Sequence, residues 1–300
     1  MIQVGIFNGY FPYTLEESIR RIKALGFGCV QLDLCFKDMD LDLRKLDAAT
    51  CHTIRDAFRD ANLPIVCISA YTNLVHPNAE KMASNIEDVK TLLRHARDLG
   101  SPYVISETGT YCEESDWVYD PRNGTEEAYQ AIRTVIAELA DYAAAHDAVF
   151  LVENYVNNII GSVDQLLRLF ADVRSPGLGL LLDPTNYFAD HNIDKVDEEI
   201  NRILNALGDR VKIAHAKDCK RAVDTSEKHA HIDAVESHTF RGAGAVELPA
   251  PGLGSLNYPL YLKRLSRIHP NIPLIIEHLD ESDVPRAKAF VDGVLKTVGA

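Results

Sequence analysis

Short apolar runs rich in β-branched residues alternate with segments of helical periodicity along the whole chain. Eight runs have strand character, at residues 3–7, 29–34, 65–70, 103–107, 149–153, 179–183, 211–215 and 274–277. Helical periodicity follows each run, near residues 14–25, 47–61, 78–99, 124–146, 162–173, 193–207, 256–268 and 284–297. Residues 150–152 and 180–182 are apolar without alternation, as in parallel strands covered on both faces. The order predicts an α/β fold with helices outside a parallel sheet.

Eight strand–helix units in 300 residues fit one closed barrel. No linker or shift in composition divides the chain. We therefore predict a single (β/α)8 TIM barrel over residues 1–300, with a doubly wound open sheet as the alternative. One connection, at about residues 216–254 between the seventh strand and its helix, is longer than ordinary loops, and we expect it to form a lid or a subunit contact.

Local signals mark the ends of several predicted helices. Thr14, Thr125 and Ser162 each stand where a helix N-cap is expected. Leu-Gly pairs at 25–26, 99–100 and 207–208 predict glycines that leave a helix in the left-handed conformation.

The net charge restricts the partners. Lys and Arg number 31 against 44 Asp and Glu, which gives −13 at pH 7 and disfavours nucleic acid and anionic membranes. No signal-peptide pattern or apolar run near 18 residues occurs, so we expect a cytoplasmic protein. The six cysteines form no CxxC pair and are expected to be reduced and structural.

Polar residues close four successive strands in the second half of the chain. The fifth to eighth strands end in Glu153, Asp183, His215 and Glu277. Reacting groups in barrels come from these carboxyl ends. A single strand-end carboxylate is often satisfied by a backbone amide or a lysine, but three converging carboxylates repel one another unless a cation neutralises them. Three carboxylates and one imidazole predict a divalent metal, Mn²⁺ first, then Mg²⁺ or Co²⁺, with Zn²⁺ less favoured.

These strand ends resemble the sugar isomerase/epimerase family of xylose isomerase-like barrels, which includes ketose 3-epimerases, hydroxypyruvate isomerase and inosose dehydratase. The motifs that carry the resemblance are Val152-Glu153-Asn154, Leu182-Asp183-Pro184-Thr185-Asn186, His215-Ala216-Lys217-Asp218 and Ile276-Glu277-His278. The resemblance implies that Glu153, Asp183, His215 and Glu277 bind the metal, and that Glu153 and Glu277 are also the catalytic acid/base pair. Asn186 and Asn257 stand where the family usually has histidine and aspartate, which leaves the substrate open.

The chemistry of such a site is removal of an α-proton from a small sugar, with the metal stabilising the enediolate. Proton return to the opposite face gives an epimerase, return to the neighbouring carbon an isomerase, and loss of a β-substituent a lyase of the inosose dehydratase or keto-glycoside type. We expect an isomerase or epimerase of a small unphosphorylated ketose or polyol, with the lyase as alternative. An AP-endonuclease-like DNA repair enzyme and a sugar sensor are weaker alternatives.

Other side chains are candidates for contact with the sugar. Lys217 continues the strand of His215, and Glu107 closes the fourth strand. Trp117 lies on a second long connection, and Arg241 lies on the longest one. His229 and His231 are also on the longest connection, and we interpret them as solvent-exposed loop residues rather than metal ligands. His278 is expected to pack or to support the site rather than bind metal. The predicted contacts to the substrate are therefore Asn186, Lys217, Glu107, Trp117 and Arg241. A homo-oligomer, either a dimer or a tetramer, is left open.

Overall fold

The computed structural model describes residues 1–222, 234–236 and 239–300, and in them eight parallel strands close into a barrel. Around the barrel the order is β1, β12, β7, β6, β5, β4, β3, β2. The predicted (β/α)8 barrel is confirmed. The strands are β1 (Gln3–Phe7), β2 (Cys29–Leu32), β3 (Ile65–Ser69), β4 (Tyr103–Glu107), β5 (Val149–Glu153), β6 (Leu178–Leu182), β7 (Val211–Ala216), β8 (Lys220–Arg221), β9 (Ala234–Glu236), β10 (Thr239–Arg241), β11 (Val246–Pro249) and β12 (Pro273–Ile276).

Eight α-helices surround the barrel, one after each of its strands. As predicted, Thr14, Thr125 and Ser162 accept hydrogen bonds from the first turns of α1, α4 and α5. No helix of the described residues is long and apolar enough to cross a membrane. The helices are α1 (Leu15–Ala24), α2 (Ala48–Asp60), α3 (Ala79–His95), α4 (Glu126–Ala145), α5 (Val163–Asp172), α6 (Val196–Leu207), α7 (Tyr258–Ile268) and α8 (Val284–Val298).

The barrel interior is filled by an apolar plug separate from the larger core between strands and helices. Seven strands contribute one buried residue each to this plug. Since strand side chains alternate in direction, the residue two positions further along each strand also points inward, one layer nearer the mouth. The plug consists of Cys29, Cys67, Ile105, Leu151, Leu181, Ile213 and Ile275.

The three Leu-Gly pairs do not behave alike. Gly26 and Gly100 have φ of 77° and 94°, in the predicted left-handed region, although Gly100 lies five residues beyond the end of α3. The prediction is wrong for Gly208, whose φ is −51° and which continues from α6 into a 3₁₀ turn. An added Cβ at Gly208 would lie 2.9 Å from Cδ1 of Ile268, so a close approach to α7 explains this glycine.

These glycines give a matched pair of substitutions. Gly26→Ala is expected to lower the free energy of unfolding by about 1–2 kcal/mol, because an L-residue there must adopt a positive φ. Gly208→Ala should cost less than about 1 kcal/mol, since its φ suits alanine and only the tip of Ile268 must shift. Urea unfolding of both variants measures the difference, and equal losses would contradict the assignment.

The long connection after β7 contains regular structure in its described part. Strands β8, β11, β10 and β9 form a small antiparallel sheet in that order. The buried carboxylate of Asp218 accepts hydrogen bonds from four backbone amides, those of Cys219, Gly252, Gly254 and Leu256, at 2.9–3.0 Å. Both ends of the connection are therefore fastened to the end of β7.

Candidate metal and active site

A layer of polar side chains lies directly above the apolar plug. Each member follows a plug residue by two positions, so strand alternation points all of them into the barrel mouth. Five of the seven, all except Ser69 and Glu107, are less than 8% exposed. The same strands therefore contribute both the apolar plug and the polar layer above it. The polar layer consists of Gln31, Ser69, Glu107, Glu153, Asp183, His215 and Glu277.

His215 stands at the centre of this layer. Its Nδ1 lies 3.6 Å from Glu153 Oε1, 3.6 Å from Asp183 Oδ2 and 3.2 Å from Glu277 Oε2. Its other nitrogen, Nε2, is 2.8 Å from Gln31 Oε1, which can only accept a hydrogen bond. Gln31 therefore fixes Nε2 as the protonated nitrogen and turns Nδ1 toward the three carboxylates.

The arrangement of these side chains fits a metal ion. Among the described residues, His215 Nδ1 is buried without a hydrogen-bond partner, and Asp183 Oδ2 has ion pairs but no hydrogen bond. Ligand atoms about 2.1 Å from an ion lie about 3.0 Å apart in an octahedron and about 3.4 Å apart in a tetrahedron, close to the observed spacings. Glu153, Asp183 and His215 offer ligand atoms within 4.8 Å of one another, while Glu277 approaches His215 from outside that group.

Lys217 brings a positive charge into the same place. Its Nζ is 2.7 Å from Asp183 Oδ2 and 3.1 Å from Glu277 Oε2, and its side chain is 5% exposed. Lys217, a predicted contact to the sugar, contacts the carboxylate cluster in this structure. Three carboxylates against one ammonium leave two negative charges, which a single divalent ion neutralises.

Two hydrogen bonds orient Glu153. The Tyr71 hydroxyl donates to Oε2 at 2.6 Å, and the Asn186 side-chain amide donates to Oε1 at 2.7 Å. Asn186, a predicted substrate contact, is buried and bound to Glu153. Its direct effect in this structure is to hold the carboxylate in one orientation.

Asp183 is held by its own turn. Its Oδ1 accepts from the backbone amide and the hydroxyl of Thr185, at 2.8 and 2.7 Å, and so caps the 3₁₀ turn Pro184–Tyr187. The Asp-Pro-Thr-Asn sequence thereby occupies one carboxylate oxygen and leaves Oδ2 for the centre of the site.

Burial and mutual charge set the ionisation of the cluster. Burial acts to raise the pKa of Asp183 and of Glu277, but Lys217 and His215 outweigh it and lower both. Burial acts to lower the pKa of Lys217 and of His215, and the carboxylates reverse it and raise both. Burial and the neighbouring charge of Glu153 raise the pKa of Glu107, and the charge of Lys217 offsets this rise only in part.

The remaining predicted residues lie at different places. Glu107 is paired with Glu153 in the register of β4 and β5. Trp117 is 40% exposed, and within the described residues no hydrogen bond or ion pair joins it to the cluster. His278 has a φ of 59° and its backbone amide donates to Tyr10, while burial and Lys217 lower its pKa to about 3. The Arg241 side chain and residues His229 and His231 lie outside the described part of the structure.

Sequence reasoning missed two members of the site. Gln31 carried a signal, since it is the one polar residue in Cys29–Leu32, and a buried polar group needs a partner. Tyr71 follows β3 in a segment without a motif, and its contact with Glu153 joins residues 82 positions apart.

Comparisons with known proteins agree with this architecture. A family model described as the xylose isomerase-like TIM barrel matches residues 19–296. A xylose isomerase domain protein from Planctomyces limnophilus superimposes with a TM-score of 0.70 at 21% identity, over 99% of this chain and 98% of that one. A xylose isomerase-like TIM barrel protein from Mycobacterium smegmatis, in complex with magnesium, gives 0.70 at 17% identity, over 100% and 97% of the two chains. An L-ribulose 3-epimerase gives 0.68 at 16% identity, over 100% and 96%. No curated protein matches by sequence.

Proposed function

Because the chain belongs to the xylose isomerase-like TIM barrel family, we propose that it is a divalent-metal-dependent isomerase or epimerase of a small sugar. The observation that carries the proposal is the approach of Glu153, Asp183 and Glu277 to one nitrogen of His215. Repelling carboxylates are rarely buried together unless a cation joins them.

These four residues are the proposed metal ligands. A mostly oxygen set with one imidazole favours Mn²⁺, with Mg²⁺ or Co²⁺ next and Zn²⁺ less favoured. When bound, the ion supplies Lewis-acid stabilisation of the enediolate that forms as an α-proton leaves the sugar.

Glu153 and Glu277 are the proposed acid/base pair. Glu153 ends β5 and Glu277 directly follows β12. These strands are separated by β6 and β7 in the barrel, so the two carboxylates reach a bound sugar from different sides. Tyr71 and Asn186 occupy one oxygen each of Glu153 and restrict its rotation. A carboxylate fixed in this way accepts a proton at a defined position on one face of the sugar, and the other glutamate can deliver a proton to the opposite face.

A cavity next to the polar layer is compatible with a small substrate without phosphate. It has a volume of about 350 Å³, near the lower end of the range for ligand sites, and is lined by Ser69 and Tyr71 but by none of the four proposed ligands. Its charged lining residues are Asp33 and Asp88, whose carboxylates accept hydrogen bonds from hydroxyl groups and repel an anion. The proposed contacts to the sugar are Lys217, Asn186, Glu107, Trp117 and Arg241.

Glu107 favours a lyase as the second candidate. Glu107 lies beside Glu153 in the register of β4 and β5, and burial and Glu153 raise its pKa, so we propose its carboxyl group as a proton donor. A donor of this kind can protonate a departing hydroxyl or glycosyl group after the α-proton has been removed.

Proton exchange in D₂O tests both reactions. We expect the protein with Mn²⁺ to exchange the α-proton of at least one member of a panel of ketoses, inososes and keto-glycosides, as measured by NMR. EDTA should abolish the exchange, and added Mn²⁺ should restore it. Epimer or aldose as product supports the isomerase or epimerase, and loss of water or aglycone supports the lyase. Exchange that persists in EDTA would contradict the proposal.

A further inference from the structure

The ion pairs of Lys217 involve the side chains proposed to bind metal. Lys217 Nζ contacts Asp183 Oδ2 and Glu277 Oε2, the same two oxygens that approach His215 Nδ1. Glu277 is also the ligand that lies outside the compact group of Glu153, Asp183 and His215. Lys217 therefore holds Glu277 and Asp183 through the oxygens that a metal would use.

The positive charge of Lys217 affects both the empty and the metal-bound states of the site. The Lys217 side chain is 5% exposed and Asp183 is fully buried, so solvent does little to screen the two ion pairs. Without a divalent ion, the ammonium is a fixed positive charge that reduces the repulsion between Asp183 and Glu277. With the ion bound, the same ammonium repels it and competes for its ligands.

We propose that Lys217 is a built-in counter-cation, which stabilises the metal-free site and weakens its affinity for the divalent ion. This inference rests on the proposed metal site, and it assigns to Lys217 a role separate from contact with the sugar. Its consequence is a site that keeps its shape when empty and releases metal more readily than four such ligands otherwise would.

Lys217→Met, which keeps the length of the side chain and removes its charge, tests the proposal. By isothermal titration calorimetry of metal-free protein with Mn²⁺, we expect the dissociation constant to fall by about tenfold or more, since the competing charge is gone. Without metal, the variant should melt at a lower temperature than wild type, and saturating Mn²⁺ should raise its melting temperature by more. Lys217→Gln should change both measurements in the same direction.

Lys90→Met is the matched control, because Lys90 also pairs with a carboxylate, Glu138, but on α3 and away from the mouth. Its Mn²⁺ affinity should equal that of wild type. Lys217 variants that fold only with the ion present would support the proposal. Unchanged or weaker Mn²⁺ affinity, or failure to fold even at saturating Mn²⁺, would overturn it. Absence of Mn²⁺ binding by wild type would instead overturn the metal site itself.

Discussion

Glu153→Gln and Glu277→Gln should each lower the rate of α-proton exchange by about 10²–10⁴-fold. Glutamine keeps the shape and one oxygen of the side chain but cannot accept the proton. The measurement is exchange in D₂O at saturating Mn²⁺, with calorimetry of Mn²⁺ binding beside it. Calorimetry separates loss of the base from loss of the metal.

Glu138→Gln provides the control, since Glu138 is a carboxylate of an ion pair on the outer surface of α4. Its exchange rate should match that of wild type. If either site variant, with Mn²⁺ bound, kept more than a tenth of the wild-type rate, that residue would not be one of the proton-transferring bases.

Gln31→Met should weaken Mn²⁺ binding by about 10–100-fold, although Gln31 is not itself a predicted ligand. The side chain is buried, and its Oε1 accepts the hydrogen bond that directs His215 Nδ1 toward the carboxylates. A methionine of similar length leaves the buried Nε2–H of His215 without a strong acceptor. Calorimetry with Mn²⁺ gives the change in affinity.

Gln31→Glu is the complementary test of the same contact. Glutamate keeps a hydrogen-bond acceptor at that position, so this variant should retain tight Mn²⁺ binding. Gln130→Met, at an exposed position of α4, controls for the substitution. Equal affinity in Gln31→Met and wild type would show that packing alone orients His215.

The positions of the main side chains could be predicted because strand alternation and barrel closure are regular. Each carboxylate of the cluster and His215 follow an apolar plug residue by two positions, so a count along the strand is enough to place them. The contacts that orient them could not be predicted in this way. Tyr71 reaches Glu153 from a loop, and the direction of Lys217 depends on the charges around it.

Local sequence patterns also failed to predict backbone conformation where tertiary contacts determine it. Gly208 has the same Leu-Gly context as Gly26 and Gly100, yet the packing of Ile268 explains it, and this contact is invisible in the local sequence. The β8–β11 sheet in the long connection was likewise missed, because its described strands are only two to four residues long and lack a clear alternating pattern.

Asp218 makes the barrel insensitive to the length of the connection after β7. Because one carboxylate binds amides at both ends of the segment between Asp218 and Gly252, the chain leaves and re-enters the barrel at nearly the same point. Closing a loop costs free energy that rises only logarithmically with its length. The intervening segment can therefore be lengthened, shortened or exchanged between relatives at little cost to the barrel. Such changes of length or sequence leave the four proposed ligands in place, because these lie at the ends of the barrel strands.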